Sequence, residues 1–122
     1  MNKQKNRLIK FPHLWRPYPF QKKLWRYLEG GGRKAVAVWH RRSGKDIVGL
    51  HWITLCALTK PGLYWYVFPT FEQAKLAIWD AVTLDGRSYL SFIPEEMIAK
   101  LDNANLTIRF KNNSIIKFVG CH

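Results

Sequence analysis

The 122-residue sequence contains little cysteine, few acidic side chains and no long apolar run. Its two cysteines, Cys56 and Cys121, have no CxxC spacing, so we expect free thiols in a reducing cytosol rather than a disulfide framework. A membrane-spanning helix needs about 18 consecutive apolar residues and a signal peptide needs an apolar core, so we expect neither. With 48% hydrophobic residues, the composition is that of one globular domain or part of one.

Acidic residues are scarce mainly in the first third of the chain. Residues 1–45 carry 13 Lys or Arg side chains against Glu29 alone, whereas residues 46–122 carry 7 basic and 7 acidic side chains. The net charge of +12 therefore lies entirely in the first 45 residues. This asymmetry predicts a polyanionic partner, either nucleotide phosphates or nucleic acid. A solvated basic tail that aids solubility is the alternative.

A polar loop between two apolar segments carries the strongest chemical signal. Residues 35–38 form a short apolar run that predicts a buried strand, and residues 45–59 predict a buried helix. The connecting segment reads Trp39-His40-Arg41-Arg42-Ser43-Gly44-Lys45-Asp46. A strand, a loop with Gly-Lys and a helix form the layout of a phosphate-binding loop, in which Gly44 admits the phosphate and Lys45 supplies a point charge.

Two residues depart from the usual pattern of such a loop. Trp39 stands where the first glycine is expected, and Asp46 replaces the Ser or Thr hydroxyl that holds magnesium. The alternative is a basic turn between strand and helix, with Asp46 as a first-turn acid favoured by the helix dipole. The complete order of strand, loop and helix favours the phosphate-binding interpretation.

The segment before the loop predicts an arm and a helix. Residues 1–16 are basic and aperiodic and predict an N-terminal arm, so the domain is assigned to residues 17–122. A helix is expected to start near Pro19 and to end at Gly30. Its apolar face would consist of Phe20, Leu24, Tyr27 and Leu28.

The segment after the loop predicts a second strand and helix. Residues 63–68 are continuously apolar and aromatic, as in a strand in the middle of a parallel sheet, buried on both faces. Thr70 is expected to cap the following helix, with Gln73 three residues further on. Two consecutive strand–loop–helix units predict an α/β domain with a right-handed parallel sheet and flanking helices.

The last third of the chain changes character. Residues 94–98 begin with Pro-Glu-Glu and predict a short helix. Residues 106–110 and 115–119 flank an Asn-Asn turn and predict a β-hairpin that extends one edge of the sheet. Three acidic residues are assigned to a helix or to loops rather than to strand ends: Asp80, Asp85 and Asp102.

In combination, these motifs resemble the ATPase domain of phage terminase large subunits, the motors that package DNA into viral procapsids. The resemblance covers about residues 17–120. It rests on Tyr18-Pro19-Phe20-Gln21, the loop at 39–46, Tyr64-Trp65-Tyr66-Val67-Phe68-Pro69-Thr70, Gln73-Ala74-Lys75 with Trp79, and the strand that ends at Gly120. It implies a partial P-loop NTPase fold with a C-terminal hairpin.

The resemblance implies a role for each matching residue. Lys45 would contact the β- and γ-phosphates and Arg41 would stabilise transition-state charge, so these two are the catalytic candidates. Asp46 would hold Mg²⁺ directly or through water. Gln21, beside Phe20, would read adenine; a polar residue in a helical first turn is the alternative. The implied nucleotide-binding set is Phe20, Gln21, His40, Arg41, Arg42, Ser43, Gly44, Lys45 and Asp46.

The resemblance also implies cofactors and partners. ATP and Mg²⁺ would be the cofactors of a hydrolase, and double-stranded DNA, the portal of the procapsid and a small terminase subunit would be the partners. The full-length protein would act as a ring in the host cytoplasm, with no membrane involved. Such motors need an apolar strand that ends in Asp-Glu, and this sequence contains none. We therefore expect a fragment, the first half of an ATPase domain, that hydrolyses little ATP alone.

Two other interpretations stay open. A helicase-like P-loop ATPase shares the glutamine motif and the Gly-Lys loop, but normally has Thr after the lysine. The second alternative is a basic nucleic-acid-binding module without ATPase activity. It is supported by Trp15, Trp25 and Tyr27, which are interleaved with Lys and Arg and could stack on bases. Core packing of these aromatic residues is the simpler explanation of their presence.

Overall fold

The chain is α/β, as predicted, in a computed structural model that describes residues 15–32, 45–83 and 85–121. The helices are α1 (Lys22–Glu29), which follows a 3-10 turn at Pro19–Gln21, α2 (Lys45–Thr59) and α3 (Phe71–Ala74), which continues as a π-helix over Lys75–Trp79. The strands are β1 (Leu63–Phe68), β2 (Ile98–Asp102), β3 (Thr107–Phe110) and β4 (Ile115–Gly120). Further 3-10 turns lie at Tyr89–Phe92 and Glu95–Met97.

The four strands of the described residues form one mixed sheet in the order β1-β4-β3-β2. β1 pairs in parallel with β4, from Leu63 opposite Ile115 to Phe68 opposite Gly120. β3 and β4 form the predicted antiparallel hairpin, and β2 pairs with the far side of β3. The predicted strand at residues 35–38 lies outside the described residues. The parallel pair that is described therefore joins β1 to the hairpin.

One face of the sheet forms the hydrophobic core beneath α2 and the π-helix. Leu50 of α2, Ile78 of the π-helix and Phe118 of β4 are each at most 1% exposed and belong to the same buried cluster. Full burial of a side chain of this size contributes about 1.5–3 kcal/mol to stability. The helix predicted over residues 45–59 is confirmed, and its apolar content is explained by this packing.

The opposite face of β1 is exposed, so the prediction that this strand is buried on both faces is wrong. Leu63, Trp65 and Val67 are 58%, 63% and 50% exposed. Their neighbours along the strand, Tyr64 and Tyr66, pack against the core. The alternation arises because α2 and the π-helix both pack on the tyrosine side of the sheet.

Two of the four positions predicted for the apolar face of the helix that corresponds to α1 are half-buried and two are exposed; the half-buried ones are Leu24 and Leu28. Phe20 and Tyr27, which were expected to face the core, are 48% and 49% exposed, whereas Gln21 is 2% exposed. Trp25, four residues after Gln21 and therefore on the same side, packs edge-on against Trp52 of α2 with ring centroids 5.2 Å apart. Trp25 therefore provides a contact between α1 and α2 that was not predicted.

Two predicted helices after β1 differ from the structure in length. The cap at Thr70 is confirmed, because its hydroxyl accepts a hydrogen bond from the Gln73 N–H at 3.1 Å, but the α-helix it begins soon becomes a π-helix. The short helix expected over residues 94–98 is a 3-10 turn, and Ile98 already begins β2. Ile98 is extended because it pairs with Phe110 of β3, a partner distant in sequence.

Gly120 ends β4 directly against the turn that leads into α3. A methyl group added at Gly120 would lie 2.6 Å from the Thr70 carbonyl carbon and also against the Phe71 amide nitrogen. Because backbone atoms cannot rotate away, we expect Gly120→Ala to lower the free energy of unfolding by about 2 kcal/mol. Urea denaturation measures the loss. Gly62→Ala is the matched control, since its nearest neighbour would be 3.5 Å away, and equal midpoints for the two variants would contradict the close packing at Gly120.

Candidate functional site

The first turn of α2 carries the two residues of the predicted phosphate-binding loop that the structure describes. Lys45 is the first residue of α2 and is exposed, and Asp46 follows it and is half-buried. The other predicted loop residues lie outside the described part of the chain: His40, Arg41, Arg42, Ser43 and Gly44. The first turn of a helix presents unpaired N–H groups and partial positive charge, so an anion beside Lys45 would be stabilised there.

Two tyrosine hydroxyl groups fix the direction of α2 relative to β1. The hydroxyl of Tyr66 donates a hydrogen bond to Asp46 Oδ1 at the start of the helix, at 3.0 Å. The hydroxyl of Tyr64 donates to the carbonyl oxygens of Cys56 and Lys60 at the end of the helix, at 3.1 and 2.6 Å. The first turn of α2 therefore lies toward the carboxyl end of the parallel β1–β4 pair. Ligands of open α/β sheets bind at this end.

The Asp46 carboxylate shapes the electrostatics around it. Burial raises the pKa of Tyr66 far above its usual value, and the charge of Asp46 raises it further. Burial and the same carboxylate also raise the pKa of Tyr89. Both phenols are therefore protonated at neutral pH, and the Tyr66 hydroxyl acts as a hydrogen-bond donor toward a charged carboxylate. The hydrogen bond therefore orients the negatively charged carboxylate of Asp46, which follows Lys45 in the chain.

Gln21, predicted to read adenine, has a structural role in its own turn. Its side-chain Oε1 accepts a hydrogen bond from the Tyr18 N–H at 2.9 Å, and its side chain is buried. This is the role that the alternative interpretation gave it. Phe20 beside it is exposed and stacks on Tyr18, with ring centroids 6.0 Å apart. Adenine recognition by this pair stays a prediction.

His51, one residue that sequence reasoning did not single out, lies at the centre of an aromatic cluster. It stacks on Trp15 with ring centroids 3.7 Å apart and meets Phe92 edge-on at 5.0 Å. Its Nδ1 lies 2.7 Å from the Ile47 carbonyl oxygen. Burial lowers the pKa of His51 to about 4, outweighing the opposite effect of that hydrogen bond. The ring is therefore neutral near pH 7 and acts in packing.

The aromatic residues proposed as base-stacking candidates divide into two groups. Trp15 and Trp25 pack on each other with centroids 5.4 Å apart, and through His51 and Trp52 they dock the N-terminal segment on α2. Packing therefore accounts for both, as the simpler interpretation expected. Tyr27 is 49% exposed and is not part of this cluster.

The aspartates outside the first turn of α2 form local contacts. Asp80 pairs with Lys75 at 3.4 Å. Asp102 was assigned to a loop, but it is the last residue of β2, and its carboxylate accepts hydrogen bonds from the Ala104 and Asn105 N–H groups at 3.1 and 3.2 Å. Within the described ranges, no group of three His, Cys, Asp or Glu side chains could hold a metal ion.

Three residues near Asp46 were missed from sequence: Gly49, Tyr66 and Tyr89. Gly49 is a glycine inside a mostly apolar helix, and Tyr66 is a hydroxyl-bearing residue on the inward side of β1. Glycine is unfavourable inside a helix and a buried tyrosine hydroxyl usually has a hydrogen-bond partner, so these two residues could have been marked as candidates. Their proximity to Asp46 could not be known from sequence, because it depends on how β1 packs under α2.

The remaining observations concern the thiols, membrane-spanning helices and the comparison with known proteins. Cys56 is half-buried and Cys121 is exposed, and both are free, as predicted. No helix in residues 15–32, 45–83 or 85–121 has the length and apolarity required to span a bilayer. Comparison of the chain with protein-family models, with curated proteins and with solved structures gave no match.

Proposed function

We propose that the chain is the nucleotide-binding portion of an ATP-driven motor that packages viral DNA. The observation that carries the proposal is the position of Lys45 and Asp46, in the first turn of a buried helix at the carboxyl end of a parallel strand pair. A cation, a carboxylate and the N–H groups of a helix terminus are the groups that bind a nucleotide polyphosphate with its magnesium ion.

The donor set near Asp46 fits the chemistry of Mg²⁺. This ion prefers oxygen ligands and usually takes one or two carboxylates, with phosphate oxygens and water completing its shell. The charged carboxylate of Asp46 matches that requirement in place of the hydroxyl of the usual pattern. When bound, Mg²⁺ would neutralise charge on the phosphates, and Lys45 would hold the β- and γ-phosphates from the side of the helix terminus.

The remaining parts of the proposal come from the resemblance to terminase large subunits. Arg41 would stabilise transition-state charge, and the loop at residues 40–44 would surround the phosphates. Double-stranded DNA, a portal and a small terminase subunit would be partners of a ring assembled in the host cytoplasm. The sequence contains no apolar run ending in Asp-Glu, so we expect this chain to bind ATP with little turnover.

Lys45→Ala tests the nucleotide site directly. We expect the variant to bind ATP with Mg²⁺ about 10- to 100-fold more weakly, because a charge-assisted hydrogen bond contributes about 1.5–3 kcal/mol. Isothermal titration calorimetry measures the affinity. Lys60→Ala is the matched control, since Lys60 is an exposed lysine just past the other end of α2, and it should bind like the wild type.

The same titrations separate the proposal from a basic nucleic-acid-binding module. Such a module would bind DNA with a steep dependence on salt and would keep that binding in Lys45→Ala. If the wild-type chain binds DNA in this way but binds no ATP, the nucleotide proposal is wrong. If ATP binds and Lys45→Ala binds it equally well, ATP lies elsewhere than at the first turn of α2.

A further inference from the structure

The hydrogen bond between Tyr66 and Asp46 joins β1 to the first turn of α2. The hydroxyl of Tyr66 lies 3.0 Å from Asp46 Oδ1. The Tyr66 ring is fixed by stacking on Phe68 and Phe118, with centroids 5.2 and 5.5 Å apart. These two ring contacts restrain the phenol and so hold its hydroxyl in place. The Asp46 carboxylate is therefore held by a rigid donor that belongs to a different element.

Gly49 provides the space through which Tyr66 reaches Asp46. It lies three residues after Asp46 and so on the same side of α2. A β-carbon added at Gly49 would be 2.5 Å from the Tyr66 hydroxyl oxygen and 3.2 Å from the nearest ring atoms. Any other residue at this position would displace the phenol from the carboxylate. Glycine is unfavourable inside a helix. The space that the Tyr66 phenol needs explains why glycine stands at position 49.

The hydrogen bond leaves the carboxylate able to bind a cation. Tyr66 engages Oδ1, and the carboxylate has a second oxygen and further lone pairs. Residues that bond to a metal-ligating side chain fix its orientation, and their loss commonly weakens the site. Asp46 has a longer side chain than the Ser or Thr of the usual pattern. Its second rotatable bond must be restrained if the carboxylate is to keep one orientation.

We infer that Tyr66 is a positioning residue, whose hydroxyl holds the Asp46 carboxylate in the orientation in which it binds the divalent cation of a bound nucleotide. Gly49 is the second part of this arrangement, because it admits the phenol. The inference rests on the proposed nucleotide site and adds to it a residue of β1 that would touch neither phosphate nor metal.

Tyr66→Phe tests the inference through the magnesium dependence of ATP binding. The variant removes one hydroxyl and keeps the ring with its stacking on Phe68 and Phe118. ATP affinity is measured by calorimetry over a series of Mg²⁺ concentrations, and we expect the Mg²⁺ midpoint to rise about 10-fold. Tyr64→Phe is the matched control, because its hydroxyl binds the far end of the same helix, and its midpoint should equal that of the wild type.

A merely structural role for the hydroxyl predicts a different pattern. Tyr66→Phe and Tyr64→Phe would then lower the melting temperature alike, and neither would shift the Mg²⁺ midpoint. An Asp46→Asn background supplies a second check, because without the carboxylate the change at Tyr66 should cause no further shift. A further shift in that background would contradict a role through Asp46.

The outcomes for the inference and for the proposed function are distinguishable. A wild-type chain that binds no ATP at any Mg²⁺ concentration would overturn both. ATP binding with the same Mg²⁺ midpoint in the wild type and in Tyr66→Phe would overturn the role of Tyr66 and leave the nucleotide site intact. A raised midpoint in Tyr66→Phe alone is the result that supports the positioning role.

Discussion

Replacing Phe118 with alanine is expected to lower the free energy of unfolding by about 3–5 kcal/mol, the usual loss for a buried phenylalanine. Phe118 is 1% exposed and lies in β4 at the centre of the core. It contacts the rings of Tyr66 and Trp79, with centroids 5.5 and 6.0 Å away. A domain of this size is typically stable by only about 5–15 kcal/mol, so the variant would be close to unfolded. Urea denaturation followed by circular dichroism measures the change.

Trp65→Ala is the matched control for Phe118→Ala. Trp65 lies in β1, beside Tyr66, but on the opposite face of the sheet, where it is 63% exposed. Removing it deletes a larger side chain from a site that is mostly in water, so we expect a loss of about 0.5 kcal/mol. If Trp65→Ala were as destabilising as Phe118→Ala, the claim that one face of the sheet is buried and the other exposed would be wrong.

Stability is expected to fall as the pH is lowered through the range in which His51 would titrate in the unfolded chain. Burial lowers the pKa of His51 from 6.5 to about 4 in the folded state. Between pH 6.5 and about pH 4, His51 is protonated in the unfolded chain but remains neutral in the folded chain. Protonation therefore stabilises the unfolded chain, and the free energy of unfolding declines until the folded histidine also protonates near pH 4. The loss over this window is about 3 kcal/mol, at about 1.4 kcal/mol per pKa unit.

His51→Phe separates this effect from other titrations. Phenylalanine keeps an aromatic ring between Trp15 and Phe92 but binds no proton, so the decline over the window should disappear. Hydrogen bonds from Thr83 and Asn105 lower the pKa values of Asp85 and Asp102 below 3.8, so any contribution from these two exposed acids is lost at more acidic pH. Urea denaturation at several pH values measures the slope. A decline that persists unchanged in His51→Phe would show that another group is responsible.

The features that could be predicted from sequence are those specified by neighbouring residues. α2 was predicted because its residues are apolar along the whole length of a helix, and the β3–β4 hairpin was predicted because alternating residues flank an Asn-Asn turn. β2 was missed because Ile98 and Asp102 become part of a strand only through pairing with β3. Local pattern carries no information about such a partner.

The candidate site shows the same division. Lys45 and Asp46 could be identified because Gly-Lys before an apolar helix is a local signal. The contact of Asp46 with Tyr66 depends on the packing of α2 over β1, and nothing in either segment alone specifies it. The exposure of Trp65 was missed for a related reason, since a continuous apolar strand does not reveal which of its faces a helix will cover.

The parallel pairing of β1 with β4 has a consequence for the order in which the chain folds. β3 and β4 are joined by a short turn, and a hairpin of this kind forms in about 1–10 μs. β1 reaches its partner only after the long segment from Phe68 to Ile115 has been closed into a loop, which lowers chain entropy before any contact is gained. Pairings between distant segments are slow for this reason. The docking of β1, with α2 attached through Tyr64 and Tyr66, onto a hairpin that is already formed is therefore the expected rate-limiting step.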